Sequence, residues 1–401
     1  MMKTVDVREV EKVQNTGYNN TTLKQQNRGL ILKLIVTGEC ESRIELAKRT
    51  GLSKMAVTNI ISEFMEQNLV EEKECVRIQG KGRNPIKLCL SSKAPKMIGV
   101  HIYRGECSVI LCDFQLHILQ RRSFPVTEEN HGRLLEYLFQ EIDEILDRIP
   151  RTEICGIGIG ALGPVDVGKG RILNPPNFYG MKNIDIVSVL KARYEMPVFF
   201  DSQYDGAALA EKFFGNGRDV EDFVFVGLAN GIGSGIISQG TIYRDYSGFT
   251  SELGHVSIDW NGRGCSCGRK GCLETYASSP VIARQLCQIT GWKKSFREFC
   301  QIDMSEYAKE TDQVLEDMME KLACGIVNLT NLFNPQKVII GHEGYWIPDR
   351  YIWDLENYIN EKKLLADYHQ IRVEKSYFGE DAHIIGCACS LLTEIFAGRI
   401  V

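Results

Sequence analysis

Between Gly248 and Ser278 the chain gathers one imidazole and three thiols at short spacings: His255, Cys265, Cys267 and Cys272. Three soft thiolates and an imidazole suit a closed tetrahedral site for structural zinc, with no position left open for a catalytic water. Glycines at 262, 264, 268 and 271 would let the chain wrap tightly around such an ion. Two plainer readings are reduced thiols packed as small hydrophobes, and a disulfide. Acids flank the cluster, Glu252 before His255 and Glu274 after Cys272. The plain role for both acids is support of the metal ligands.

Glu252-Leu253-Gly254-His255, Cys265-Ser266-Cys267-Gly268 and Gly271-Cys272-Leu273-Glu274 resemble the motif of the ROK family, which unites bacterial sugar kinases and sugar-responsive repressors. Ser247-Gly248-Phe249 and Asp259-Trp260-Asn261-Gly262 look most like the xylose-operon repressors, and the chain also resembles the N-acetylglucosamine repressors. Ser251 departs from the family, which has Gly there. The resemblance implies sugar contacts from Glu252, His255 and Glu274 and from Asn177 in Pro175-Pro176-Asn177. Ser202 and Gln203 stand where the family has two further hydroxyl-binding residues. Two acids would repel phosphate, so an unphosphorylated pentose or hexose, xylose among them, is expected.

The motifs a kinase needs are degenerate. Family kinases open with Asp-x-Gly-Gly-Thr after the first strand; here His101-Ile102-Tyr103-Arg104 takes its place, bulky where backbone N–H groups should meet phosphate. Gly231-Ile232-Gly233-Ser234-Gly235 keeps part of the second phosphate loop. Counting back from Glu211 puts Gln203 at the position of the catalytic Asp, and a carboxamide cannot accept a hydroxyl proton. Asp201 and Asp205 lie nearby but on different faces. No catalytic residue is therefore assigned.

The elements before this body point to DNA. Residues 20–95 hold 13 Lys and Arg against 8 Asp and Glu, whereas residues 96–401 hold 31 against 41. A basic head on an acidic body fits a chain whose head alone meets phosphate. A helix is expected from about Asn27 to Gly38, then a capping box at Ser42-Arg43-Ile44-Glu45 opening a second helix with Ile44 and Ala47 inward. After Gly51, Ser53 caps a third helix with Val57, Ile60, Ile61, Phe64 and Met65 on one face. Lys54, Met55, Thr58, Asn59 and Ser62 lie opposite. This is the pattern of a helix-turn-helix, and the basic tip Gly80–Pro85 of a following hairpin reads as a wing. Arg43, Ser53, Lys54, Thr58, Asn59, Lys81 and Arg83 are the candidate DNA contacts, against the plainer reading of a three-helix module with a solvated face.

The expected organisation is a polar arm (1–22), a winged helix-turn-helix (23–90) and, as the resemblance implies, a two-lobed actin-like, ribonuclease-H-like α/β body (97–401). The first lobe takes 97–200 plus 381–401, the second 201–380. The 14 cysteines with no secretory signal suit a reducing cytosol. The expected function is a cytoplasmic, sugar-responsive repressor acting on operator DNA as a homodimer or homotetramer. The alternatives are a sugar kinase with a regulatory head, and a repressor with a vestigial pocket controlled by a protein partner.

Overall fold

The computed structural model describes residues 20–74, 86–245, 248–302 and 307–400. Most of the expected arm and the hairpin tip with Lys81 and Arg83 lie outside the described residues. The chain divides into two compact units: one ends at Ser91 and takes in the last residues from Thr393, and the other is Ser92–Leu392. Among the described residues no helix is long and apolar enough to cross a membrane.

The smaller unit starts with α1 (Asn20–Val36), α2 (Arg43–Thr50) and α3 (Lys54–Glu66), followed by the antiparallel pair β1 (Val70–Glu74) and β2 (Ile86–Leu90). Helix α1 begins well before Asn27. Its first turns are polar, so apolar periodicity misses them; Lys24 and Arg28 instead pair with Glu63 of α3. Ile31, Leu46, Val57, Ile61 and Phe64 close the core. The expectation that Ile44 faces inward is corrected: Ile44 is 72% exposed, and Leu46 is the residue of this short helix that is fully buried. The capping box is half formed. Ser42 accepts from Glu45 N, but the Glu45 carboxylate accepts from Glu41 N, one residue earlier than the motif requires. Ser53 caps α3 through Ala56 N.

The larger unit repeats one plan twice. Strands β3 (Lys96–Ile102), β4 (Gly105–Cys112) and β5 (Ile118–Val126) form an antiparallel meander. Helix α4 (Leu134–Leu146) then leads to β6 (Ile154–Ala161), parallel to β3. After the short pair β7 (Val165–Asp166) and β8 (Arg171–Ile172) come α5 (Ile186–Tyr194) and β9 (Val198–Ser202), giving sheet order β5-β4-β3-β6-β9. Helix α6 (Gln203–Phe214) opens the second copy: β10 (Phe223–Leu228), β11 (Ile232–Ser238) and β12 (Thr241–Ile242). Helices α7 (Glu274–Ala277), α8 (Ser279–Thr290), α9 (Phe296–Gln301) and α10 (Ala308–Phe333) precede β13 (Lys337–His342), α11 (Asp349–Lys362) and β14 (Arg372–Lys375). The second order, β12-β11-β10-β13-β14, matches the first strand for strand. Central strands such as Phe223–Leu228 are buried on both faces, hence their unbroken apolar runs.

Each sheet has its own core, with α4 and α5 on the first and α8 to α11 on the second. Truncating a fully buried side chain such as Leu138 or Leu322 to Ala should cost about 2–5 kcal/mol. Helix α6 packs against both sheets and against α12 (Ala382–Ile385), so the residues at its N-terminus stand between the lobes. Helix α13 (Cys389–Phe396) closes the chain. The expected first lobe took all of 381–401. The larger unit ends instead at Leu392, where Leu391 packs by Gly156. The residues after it belong to the smaller unit, where Phe396 lies so close to Gly29 of α1 that a side chain at 29 would meet its carbonyl.

Candidate functional site

The segment 248–278 folds back on itself through Ile258 N donating to Gly271 O and Leu273 N donating to Val256 O. Gly268 (φ 88°) and Gly271 (φ 72°) take the left-handed conformation that the reversal needs. The fold-back brings one ligand atom each from His255, Cys265, Cys267 and Cys272 within 4.8 Å of one another. His255 Nδ1 lies 3.7 Å from Cys265 Sγ, and Cys267 Sγ 3.7 Å from Cys272 Sγ. Thiolate–metal bonds of about 2.3 Å in a tetrahedron would separate ligand atoms by roughly 3.8 Å, so the four residues can hold an ion with little adjustment. Glu274 touches the same cluster, its Oε1 accepting from Cys265 Sγ at 3.2 Å.

Next to the cluster is a small interlobe cavity. Glu252, His255 and Glu274 form one part of its wall, Tyr103 and Arg104 of the β3–β4 turn another, and Gln203 and Tyr204 of α6 a third. Its volume is about 40 Å³, space for roughly two or three waters. A monosaccharide would therefore require the lobes or these side chains to part. Burial, reinforced by Glu274, pushes the Glu252 carboxyl up to about 7. Four of the six residues expected to face a ligand, Gln203, Glu252, His255 and Glu274, line the cavity. Two do not. Asn177 is on an exposed turn at φ 54°. Ser202 is buried, and its hydroxyl accepts from Asp205 N as the cap of α6.

Glycines 233 and 235, read as part of a phosphate loop, belong to strand β11 and lie under Tyr204. A Cβ at Gly233 would come within 1.9 Å of that ring. The turn between β10 and β11 is Ala229–Gly231. Asp201 and Asp205, expected on different faces, converge on Arg244. Asp201 makes a two-pronged pair with it, and Asp205 Oδ2 is 4.0 Å from its Nη1. Burial, with Asp201 adjacent, drives Asp205 well above the usual carboxylate range. Neither acid lines the cavity. Arg244 follows a short edge strand, and no motif marks it.

No motif marks the three-histidine cluster at a second, larger interlobe cavity of about 270 Å³. His342 and His383 stack face to face, 3.7 Å between centroids and 4° between planes, with His101 edge-on to His383 at 4.7 Å. Glu343 N donates to His342 Nδ1, which places the proton on His342 Nε2; that nitrogen and His383 Nδ1 are buried without a partner. His101 Nε2 donates to Gln203 Oε1 at 2.8 Å. Burial depresses all three imidazoles, His101 to about 4 and His342 to about 3.

In the smaller unit, Lys54, Met55, Thr58, Asn59 and Ser62 are exposed on α3, opposite its buried stripe. Thr58 Oγ1 donates to Lys54 O, leaving its lone pairs outward. Arg43, a candidate contact, is paired with Glu72 of β1.

The ROK family model matches residues 97–394. The chain is 29% identical to the xylose repressor of Caldicellulosiruptor bescii over 394 residues, 94% of this chain and 98% of that protein. It is 28% identical to the DNA-binding transcriptional dual regulator NagC of Escherichia coli over 370 residues, 89% of this chain and 90% of that one. Among solved structures, a ROK family transcriptional regulator described as a homologue of the E. coli MLC protein aligns with TM-score 0.77 and 26% identity, covering 94% of this chain and 98% of its own. A ROK glucokinase from Streptomyces griseus, solved with glucose and AMPPNP, shares the body fold at TM-score 0.64 and 20% identity over 73% of this chain and 98% of its own. The duplicated sheets, the cysteine–histidine cluster beside the cleft and these matches make the chain a member of the ROK family.

Proposed function

We propose that this protein is a sugar-responsive transcriptional repressor: its head binds operator DNA, and a small sugar in the interlobe cavity relieves repression. The observation that carries this reading is the bond between His101 and Gln203. These residues stand where family kinases have the Asp of the first phosphate loop and the general base. They are tied to each other, and neither is a carboxylate. The wall of Glu252, His255 and Glu274 can bind hydroxyls while the proton acceptor is gone, which favours sensing over phosphoryl transfer.

In this reading 23–90 is a winged helix-turn-helix following the arm 1–22, and 97–401 is the sensing body. Helix α3 enters the major groove, Thr58 and Asn59 reach base edges and Lys54 meets phosphate, with Lys81 and Arg83 on the wing. Arg43 would have to leave Glu72 to contribute, whereas the Ser53 hydroxyl, which caps the helix by accepting from Ala56 N, still has its O–H to donate to a phosphate oxygen. His255, Cys265, Cys267 and Cys272 would hold a structural zinc ion that stiffens the loop carrying Glu252 and Glu274. The protein would act in the cytoplasm, as a dimer or a higher symmetric assembly on a near-palindromic operator. Relatives named xylose repressor and N-acetylglucosamine repressor suggest those sugars as the effector's class.

The test is operator binding with and without sugar. Glu252→Gln should retain metal and operator affinity but no longer release DNA. Release at wild-type sugar concentrations would place the effector elsewhere.

A further inference from the structure

The segment that leads to Glu252 is anchored at both ends. Where it leaves β12, Arg244 reaches across to the end of β9 in the first lobe. Its Nη1 donates to Asp201 Oδ1 at 3.0 Å and its Nη2 to Asp201 Oδ2. At the far end the Ser251 hydroxyl lies 2.7 Å from that of Ser234 on β11. Held this way, Glu252 lies against the turn after β6, where a side chain at Gly163 would meet its Oε1 at 2.8 Å.

Asp201 is 2% exposed, and Asp205, in the first turn of α6, is 1% exposed. One guanidinium faces both acids. It satisfies Asp201 with a two-pronged pair, whereas Asp205 Oδ2 stays 4.0 Å from Nη1, beyond hydrogen-bond length, and is buried without a partner. A buried ion pair holds together the elements that carry it, because losing either partner leaves the other desolvated and alone. An unsatisfied buried oxygen does the reverse, since it keeps its desolvation cost until water reaches it. The cluster therefore both closes the seam between the lobes and works against that closure. Opposing contributions of this kind leave two arrangements close enough in free energy for a ligand to shift. In the closed arrangement the cavity beside Glu252 holds about 40 Å³, too little for a monosaccharide.

We propose that the Arg244–Asp201 pair is a latch: it holds the lobes closed in the form that binds operator DNA, and the sugar binds the form in which the latch has opened. Arg244 does not line the cavity; it is a positioning residue that acts through the segment leading to Glu252. The inference rests on the repressor reading and adds the regulation of its site. Its sign follows from linkage. A sugar that selects the open form and relieves repression requires the closed form to be the one that binds DNA.

The experiment uses the full-length, zinc-loaded protein. Amide hydrogen exchange without DNA or sugar reads the opening itself. Calorimetry with xylose and with N-acetylglucosamine reads sugar affinity, and gel shifts on a duplex selected by the wild type from a random pool read DNA affinity. Removing one ion alone would strand the other, so the variant is Asp201→Asn combined with Arg244→Gln, a neutral pair. It should exchange faster over 198–205 and 248–252, bind sugar about tenfold tighter and bind the duplex weaker by the same factor, because coupling is reciprocal. Asp205→Asn, which removes the orphaned acid, should shift both affinities the other way. A merely structural role predicts that both affinities fall. Should the double variant melt far below the wild type, Arg244→Lys, which keeps the charge but not the two-pronged pair, should move both affinities in the double variant's direction by a smaller factor.

The latch is overturned if exchange is unchanged in the variants, if sugar and DNA affinities fall together, or if Asp205→Asn moves them in the same direction as the double variant. In each of those cases a sugar response still lost in Glu252→Gln keeps the repressor reading intact. If neither sugar binds and no duplex is selected, both readings fall.

Discussion

The stacked histidines predict a pH-dependent stability whose sign and size follow from the geometry. Two imidazolium rings cannot sit face to face at 3.7 Å, so the folded larger unit holds this cluster neutral. In the unfolded chain each imidazole titrates near 6.5. A depressed folded value means that the neutral cluster's stability is present above pH 6.5 and is lost as pH falls below it. At pH 5 the unfolded chain gains about 1.5 pH units of protonation per histidine, worth about 2 kcal/mol, while folded His101 and His342 at about 4 and 3 remain neutral. Glu252 works in the opposite direction. Its carboxyl, raised from the ordinary 4.5 to about 7, disfavours the folded state in full above pH 7, and that cost fades as pH falls from 7 toward 4.5. The wild-type profile therefore mixes two signs, and the informative quantity is a difference between proteins.

His383 is the ring that touches both others, so His383→Leu is the variant of choice. Other charged groups facing the cluster, Glu106, Arg121, Arg297, Glu343, Glu380 and Asp381, are unchanged in the variant and cancel. At pH 7.5 the variant should lose about 1–3 kcal/mol from packing. At pH 5.0 that penalty should shrink by about 2 kcal/mol, because one proton-linked cost has been removed. The assay is urea unfolding followed by tryptophan fluorescence, which reports the larger unit alone since Trp260, Trp292, Trp346 and Trp353 all lie there. A penalty at pH 5.0 equal to or larger than that at pH 7.5 would refute the reasoning.

Three further outcomes are expected. Protein purified without chelator should carry one zinc per chain by elemental analysis, and Cys267→Ser should reduce occupancy and lower the melting point; a metal-free wild type sinks the assignment. Sugar-dependent ATP turnover should be absent from a coupled assay, and Gln203→Asp alone should not create it, because His101, Tyr103 and Arg104 still fill the first loop; rates of roughly 1–100 per second would restore a kinase. In gel shifts Asn59→Ala should relax preference at particular bases at about 1–3 kcal/mol, while Arg83→Ala should weaken all sequences alike; unchanged affinity and footprint in both would remove the head from DNA.

What the sequence by itself determined was local. His255, Cys265, Cys267 and Cys272 fall within eighteen positions, so short loops between glycines bring their ligand atoms together, and spacing alone pointed to the cluster. The stripe Val57, Ile60, Ile61 and Phe64 needed only the 3.6-residue period; Met65, expected on the same face, is 38% exposed near the end of the helix. Short or polar elements were harder. Ile44 and Leu46 are equally apolar, and only packing against α3 decided which turns inward. The first turns of α1 are held by charges to Glu63, 39 residues from Lys24, a distance no periodicity reports. Tertiary structure alone decided the cleft. His101 and Gln203 are 102 residues apart, and the bond between them exists because β3 and α6 end at the same place between the lobes. The stack of His342 on His383, the convergence of Asp201 and Asp205 on Arg244, and Arg104 facing the same cavity as Glu252 have the same cause. A duplicated fold brings distant strand ends and turns to one shared seam, and a chain read residue by residue carries no trace of which ends will meet.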